Sequence, residues 1–187
     1  MKRILLAWLA GLATSCAADL ASIELTSLSG AKVRPADPGK GPFAAIVFVT
    51  TDCPIANAFQ PELRRLETRA RELGGSFTIV QVIPTLSDEA ARRHASEFGI
   101  SAPVVIDREH RLVKACGAEM TPEAVVIDRS GAVAYCGRIS NLFVTYGKRR
   151  NEATEHDLRD AMEALAQGKQ VPIPRTEALG CYIPDVP

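Results

Sequence analysis

The residues Ala44-Ala45-Ile46-Val47-Phe48-Val49 lead through Thr50-Thr51-Asp52 directly into Cys53-Pro54. An apolar, β-branched run of this length predicts a buried strand. The segment that follows, 55–73, predicts a helix, with Pro54 at its favoured first position and Cys53 at or beside the N-cap. A sulfur there faces unpaired backbone N–H groups and the positive end of the helix dipole, which favours a thiolate. The same place also suits a cysteine buried as a small hydrophobe. The rest of the chain bears on which reading holds.

The remaining pattern alternates strand and helix. Residues 23–33 predict a strand and a turn around Ser29-Gly30, and 77–83 a second buried strand. Ser87 is placed as the N-cap of a helix reaching Phe98, with Gly99 after its end. A short strand over 104–106 and a short helix over 109–115 follow. Strands over 124–127 and 132–136 flank the turn Asp128-Arg129-Ser130-Gly131. Residues 154–166 predict an amphipathic helix with Leu158, Met162 and Leu165 on one face. This order gives an α/β chain whose central mixed sheet is flanked by helices. Its 187 residues, 47% hydrophobic and 24% charged, suit one core, and a net charge of zero offers no field for nucleic acid.

Met1-Lys2-Arg3 and the short apolar stretch 4–13 form a targeting segment over 1–18, too short to span a bilayer. Two processing routes fit. Ala13-Thr14-Ser15-Cys16 resembles a lipoprotein signal, with lipid on Cys16 as a membrane anchor; alternatively, cleavage follows Ala18. The lipoprotein route is preferred. Either one predicts export, to the periplasm or the extracytoplasmic face of a membrane, where disulfides are allowed. The globular domain is placed at 19–170, and 171–187 is a Pro-rich tail carrying Cys181. Beyond Cys16, Cys53, Cys116, Cys136 and Cys181 allow three pairings. With no C-x-x-C and wide spacing they do not read as a zinc site, and no metal or cofactor is expected.

Phe48 stands five residues before Cys53, Pro61 eight after it, and Thr121-Pro122 just before a strand. In these features the chain resembles the thioredoxin-like superfamily, whose fold places a cis-proline loop against the active-site cysteine. Cys53-Pro54-Ile55-Ala56 lacks that family's second cysteine, and Val47 stands where many members carry a buried acid. Thr50-Thr51-Asp52-Cys53 instead looks like the T-x-x-C of peroxiredoxins, though Ile46 replaces their upstream proline. From about residue 23 onward the chain is similar to exported peroxiredoxin-like redoxins of the alkyl hydroperoxide reductase and thiol-specific antioxidant group. The shared blocks are Asp52-Cys53-Pro54, Thr121-Pro122-Glu123-Ala124, Tyr135-Cys136-Gly137-Arg138-Ile139, the 146–150 loop and Gly180-Cys181-Tyr182-Ile183.

The resemblance implies thiol redox chemistry. Cys53 would attack a peroxide, giving a sulfenic acid, or a disulfide, giving a mixed disulfide. Cys181, in a mobile-looking tail, is the candidate resolving thiol; a structural staple or a merely free thiol is its alternative. Thr50, Pro54, Thr121 and Pro122 would shape the site, and Arg138 would supply positive charge. Relatives usually carry Arg in place of Cys136 and often Tyr in place of Cys116, so these two cysteines are a candidate structural disulfide, or else two buried thiols. His94, His110 and His156 are expected on the surface, and Lys148-Arg149-Arg150 in a solvated loop. The expected partners are a peroxide or protein disulfide and an external thiol reductant. Two other functions fit: a protein disulfide reductase in extracytoplasmic cytochrome or cuproprotein maturation, and a non-catalytic binding module.

Overall fold

A computed structural model describes residues 20–186 of the chain. The targeting segment and Cys16 lie outside the described residues. The apolar run forms β3 (Phe43–Val49), and every residue of it is buried. Burial on both faces explains the lack of polar alternation. Phe43, Ala45, Val47 and Val49 face a core shared with Phe59, Leu63 and Leu66 of α1 (Pro54–Glu72) and Leu158 and Met162 of α4 (Asp157–Ala166). Ala44, Ile46 and Phe48 face a second core with Leu112, Val113 and Cys116 of α3 (Arg111–Cys116).

β3 pairs in parallel with β4 (Ser76–Gln81) and antiparallel with β7 (Glu123–Asp128). β5 (Val104–Ile106) continues the parallel side beyond β4, and β8 (Val133–Gly137) the antiparallel side beyond β7. The central sheet therefore runs β5-β4-β3-β7-β8 and is mixed, as expected. β1 (Leu25–Thr26) and β2 (Lys32–Val33) form a separate hairpin around Ser29-Gly30. Ser87 caps α2 (Asp88–Glu97) by accepting from the Ala90 N–H at 3.1 Å. α3 starts later than expected because the buried Asp107 carboxylate accepts from the N–H groups of Arg111, Leu112 and Val113 at 2.8–3.0 Å.

Two features depart from expectation. First, Lys148-Arg149 is not plain loop: β10 (Lys148–Arg149) pairs with β9 (Phe143–Thr145) in an exposed hairpin. Second, the tail is laid along the domain. The Cys136 N–H donates to the Pro174 carbonyl at 3.0 Å, and Thr176 N–H to the Cys136 carbonyl at 3.1 Å. The Tyr135 hydroxyl meets that of Thr176 at 2.7 Å. Gly137, with a φ of 151°, leaves room for this crossing, since a Cβ there would run into Thr176. Further on, β11 (Cys181–Tyr182) pairs antiparallel with β6 (Met120–Thr121). Backbone pairing at two points thus holds a segment whose composition suggests mobility.

Candidate functional site

The strand β3 ends one short turn before α1, and Cys53 is the N-cap of that helix. Its φ of −79° and ψ of 112° are extended, as a cap requires, and its sulfur accepts from the Ala56 N–H at 3.5 Å. The side chain is 1% exposed. The thiol donates to the Thr121 carbonyl at 3.1 Å. The Thr121–Pro122 peptide is cis, and β6 immediately before it brings that carbonyl to the sulfur. Pro54 follows at the exposed first position of α1.

The hydroxyl of Thr121 donates to the Cys181 carbonyl at 3.3 Å. Because a carbonyl only accepts, the Thr50 hydroxyl, 3.4 Å from that of Thr121, is the donor of the second contact. Thr50 therefore joins the site through Thr121.

Cys181 is brought in by β11, where it is the ladder partner of Thr121. Its thiol is pushed up to about 11 by burial first, then by the neighbouring Cys53 sulfur and by Asp52. Gly180 permits the approach, because a Cβ there would run into the Thr121 carbonyl. Tyr146, from the turn between β9 and β10, donates its hydroxyl to the Gly180 carbonyl and clamps the tail over the sulfurs. Tyr146 and Tyr182 are both largely exposed beside them. The sequence marks the 146–150 loop as a shared block, but nothing in it shows that the loop reaches the tail.

Arg138 follows β8. Its guanidinium donates to Asp157 at 2.7 and 3.3 Å and to Glu155. These carboxylates raise its pKa further, and with Phe59 and Pro122 it lines a cavity of about 230 Å³. Its charge is thus engaged at the start of α4. Cys116 and Cys136 are free thiols on the opposite side of the sheet from Cys53. Burial pushes them up to about 12 and about 11, and they interact electrostatically with each other. The Cys136 thiol donates to Glu123 at 3.4 Å.

His94 and His110 are not on the surface. They are 5% and 4% exposed. His110 faces the Val82 carbonyl at 2.7 Å, and His94 lies between Asn57 and Gln81. Charged neighbours in sequence hid both, because each points inward from a polar helix or its start. His156 is partly exposed, 3.8 Å from Glu62. Among the described residues no group of three or more His, Cys, Asp or Glu side chains could hold a metal ion.

A family model described as Redoxin matches residues 14–143. The chain is 28% identical over 113 residues to the thiol-disulfide oxidoreductase ResA of Bacillus anthracis; the match covers 58% of this chain and 61% of that relative, less than two thirds of its length. A conserved protein from Geobacillus kaustophilus superposes with a TM-score of 0.74 at 28% identity, over 88% of this chain and 89% of that one. A secreted Mycobacterium tuberculosis disulfide oxidoreductase homologous to E. coli DsbE has a TM-score of 0.53 at 17% identity, over 80% and 97% of the two chains. The fold is thioredoxin-like.

Proposed function

The chain belongs to the Redoxin family, and from that premise we propose that it is a thiol-disulfide oxidoreductase in which Cys53 attacks and Cys181 resolves. The observation that carries this reading is the junction at Thr121, whose carbonyl accepts from the Cys53 thiol at the N-cap of α1 and whose ladder partner is Cys181. Cys53 as thiolate attacks one sulfur of a substrate disulfide. That S–S bond breaks, a mixed disulfide forms, and the released thiolate takes a proton from solvent. Cys181 then loses its proton and attacks the Cys53 sulfur, freeing the second substrate thiol. The substrate has gained two electrons, and the protein holds a Cys53–Cys181 disulfide that an external thiol reductant resets.

The raised pKa of Cys181 fits this order. Part of it comes from the Cys53 sulfur, so it falls once Cys53 is tied up in the mixed disulfide. Thr121 and Pro122 line the site with Pro54, and Thr50 orients the Thr121 hydroxyl. The engagement of Thr50 with Thr121 favours a disulfide over a peroxide as substrate. Arg138 orders the wall beside Pro122. The targeting segment supports work outside the cytoplasm, in the periplasm or on a lipid anchor at Cys16.

The test is to mix reduced protein with oxidised glutathione or insulin, and separately with hydrogen peroxide, and to map disulfides by mass spectrometry. A Cys53–Cys181 disulfide formed faster with the disulfides is expected. Cys53 left as a thiol by every oxidant overturns the assignment.

A further inference from the structure

A chain of side-chain amides and one imidazole runs from the second strand of the parallel layer to the turn that carries Cys53. The Asn57 side-chain amide lies 2.9 Å from the Thr51 carbonyl, and a carbonyl only accepts, so Asn57 Nδ2 is the donor. Its Oδ1 therefore faces His94 Nε2, 2.9 Å away, and that nitrogen must carry the proton. Nδ1 of the neutral ring is then the acceptor for Gln81 Nε2 at 3.4 Å. Every link donates in the same direction, from Gln81 of β4 through His94 of α2 to Asn57 of α1 and on to Thr51.

The inner end of the chain is buried. Gln81 is fully buried, His94 is 5% exposed, and Phe98 packs on the imidazole with ring centroids 4.8 Å apart. Burial holds the imidazole below its usual range, against the opposing charge of Glu97. Gln81 Oε1 has no partner, nor do the side-chain amide atoms of Gln60, one helical turn beyond Asn57. A buried polar network with unpartnered atoms is costlier than an apolar core, which calls for a reason to keep it.

We propose that His94 is a positioning residue for Cys53, acting through Asn57. By donating to Asn57 Oδ1 it fixes which way that amide points, so that Nδ2 holds the Thr51 carbonyl. The Asn57 backbone N–H separately bonds the Cys53 carbonyl at 3.0 Å. Asn57 thus grips the turn on both sides of Asp52, and the grip keeps the Cys53 sulfur at the N–H of Ala56 and beneath Thr121. If the ring cannot donate, the amide is free to turn, and its oxygen would then repel the Thr51 carbonyl. The proposal rests on Cys53 being the reacting thiol.

The test is the second-order rate of Cys53 alkylation by iodoacetamide, read as the Cys53 peptide by mass spectrometry in the full, reduced chain. His94→Leu is expected to slow Cys53 about tenfold, in line with the sensitivity of reactions to small misplacements. His94→Gln, whose amide N–H can reach the Asn57 oxygen, is expected to restore the rate to within about twofold. Should His94→Leu fail to fold, Asn57→Ala on the half-buried face of α1 asks the same question and is expected to slow Cys53 to a similar degree. A purely structural role predicts lowered unfolding midpoints with an unchanged Cys53 rate in the folded protein, and that result overturns the proposal. A wild-type Cys53 that is inert to iodoacetamide overturns the redox assignment itself, which keeps the two failures distinct.

Discussion

Thr121 and Cys181 are ladder partners in a two-stranded antiparallel sheet, and that pairing is what sets a C-terminal thiol against Cys53. The Thr121 carbonyl accepts from the Cys53 thiol, and its hydroxyl donates to the Cys181 carbonyl. One residue before a cis-proline therefore gathers both sulfurs, although they stand on α1 and on the tail. The protein reaches a close thiol pair without the C-x-x-C spacing that would place both on one helix.

Cys181 should titrate late. Cys181 is raised by burial and, in lesser part, by the Cys53 sulfur. In the reduced chain at pH 7–8, Cys181 is expected to stay a thiol. Cys181 should label only as the pH climbs toward about 11. Cys53→Ser removes the neighbouring sulfur, so the Cys181 profile should move to lower pH while burial keeps it above an ordinary thiol. Peptide mapping across a pH series measures both, and an unmoved Cys181 profile would show that the sulfurs do not meet in solution.

Gly180 tests the tail as the carrier of Cys181. A Cβ at this position meets the Thr121 carbonyl and the Pro122 nitrogen, which are backbone and cannot swing aside. Gly180→Val should lift β11 from β6 and separate Cys181 from Cys53. Cys53 would still attack, but the second step would lose its positioned thiol and slow by about tenfold or more. Quenched reactions should then accumulate the mixed disulfide at Cys53. Resolution at the wild-type rate would mean that β11 plays no part in presenting Cys181.

Much of this arrangement was legible in the residues. The unbroken apolar run before Cys53-Pro54 specifies both the central strand and the capped helix, because strand burial and the N-cap are local properties. The tail was harder to read. Its prolines and glycine suggested freedom, whereas its order comes from pairing with Cys136 and Thr121, which is set by tertiary proximity and leaves no periodic trace in so short a strand. His94 was misread for a similar reason. Its helix is polar overall, and only contact with Asn57 and Gln81 from two other elements gives the imidazole an interior place.

Arg138 should matter for stability more than for sulfur chemistry. Asp157 is 5% exposed and takes two of the guanidinium hydrogen bonds. Arg138→Met would leave that carboxylate without them. The loss should be about 2 kcal/mol, below the 3–5 kcal/mol of a fully buried pair because the arginine keeps some exposure to solvent. Urea unfolding measures it. The Cys53 alkylation rate should stay within about twofold of wild type, since both carboxylates already hold the charge. A stable variant with a much slower Cys53 would instead put the charge of Arg138 to work at the sulfur.

Cys116 and Cys136 predict an alkaline weakness that also reports their pairing. Burial pushes the two folded-state thiols up to about 12 and about 11, while an unfolded thiol titrates at about 8.5. The folded state therefore keeps protons that the unfolded state gives up as the pH rises. The stability they contribute is whole below about pH 8.5 and is lost as the pH climbs toward 11–12, at up to about 1.4 kcal/mol per pH unit for each thiol. Reduced protein should show a lower urea midpoint at pH 10 than at pH 8, and Cys116→Ala with Cys136→Ala should remove their share of that fall, leaving the share of Cys181. A disulfide has no proton to lose. If oxidation joins these two cysteines, their share of the alkaline fall should vanish and the midpoint at pH 8 should rise as well, because the cross-link restricts the unfolded chain. A fall that survives oxidation unchanged would mean that the two sulfurs remain separate buried thiols.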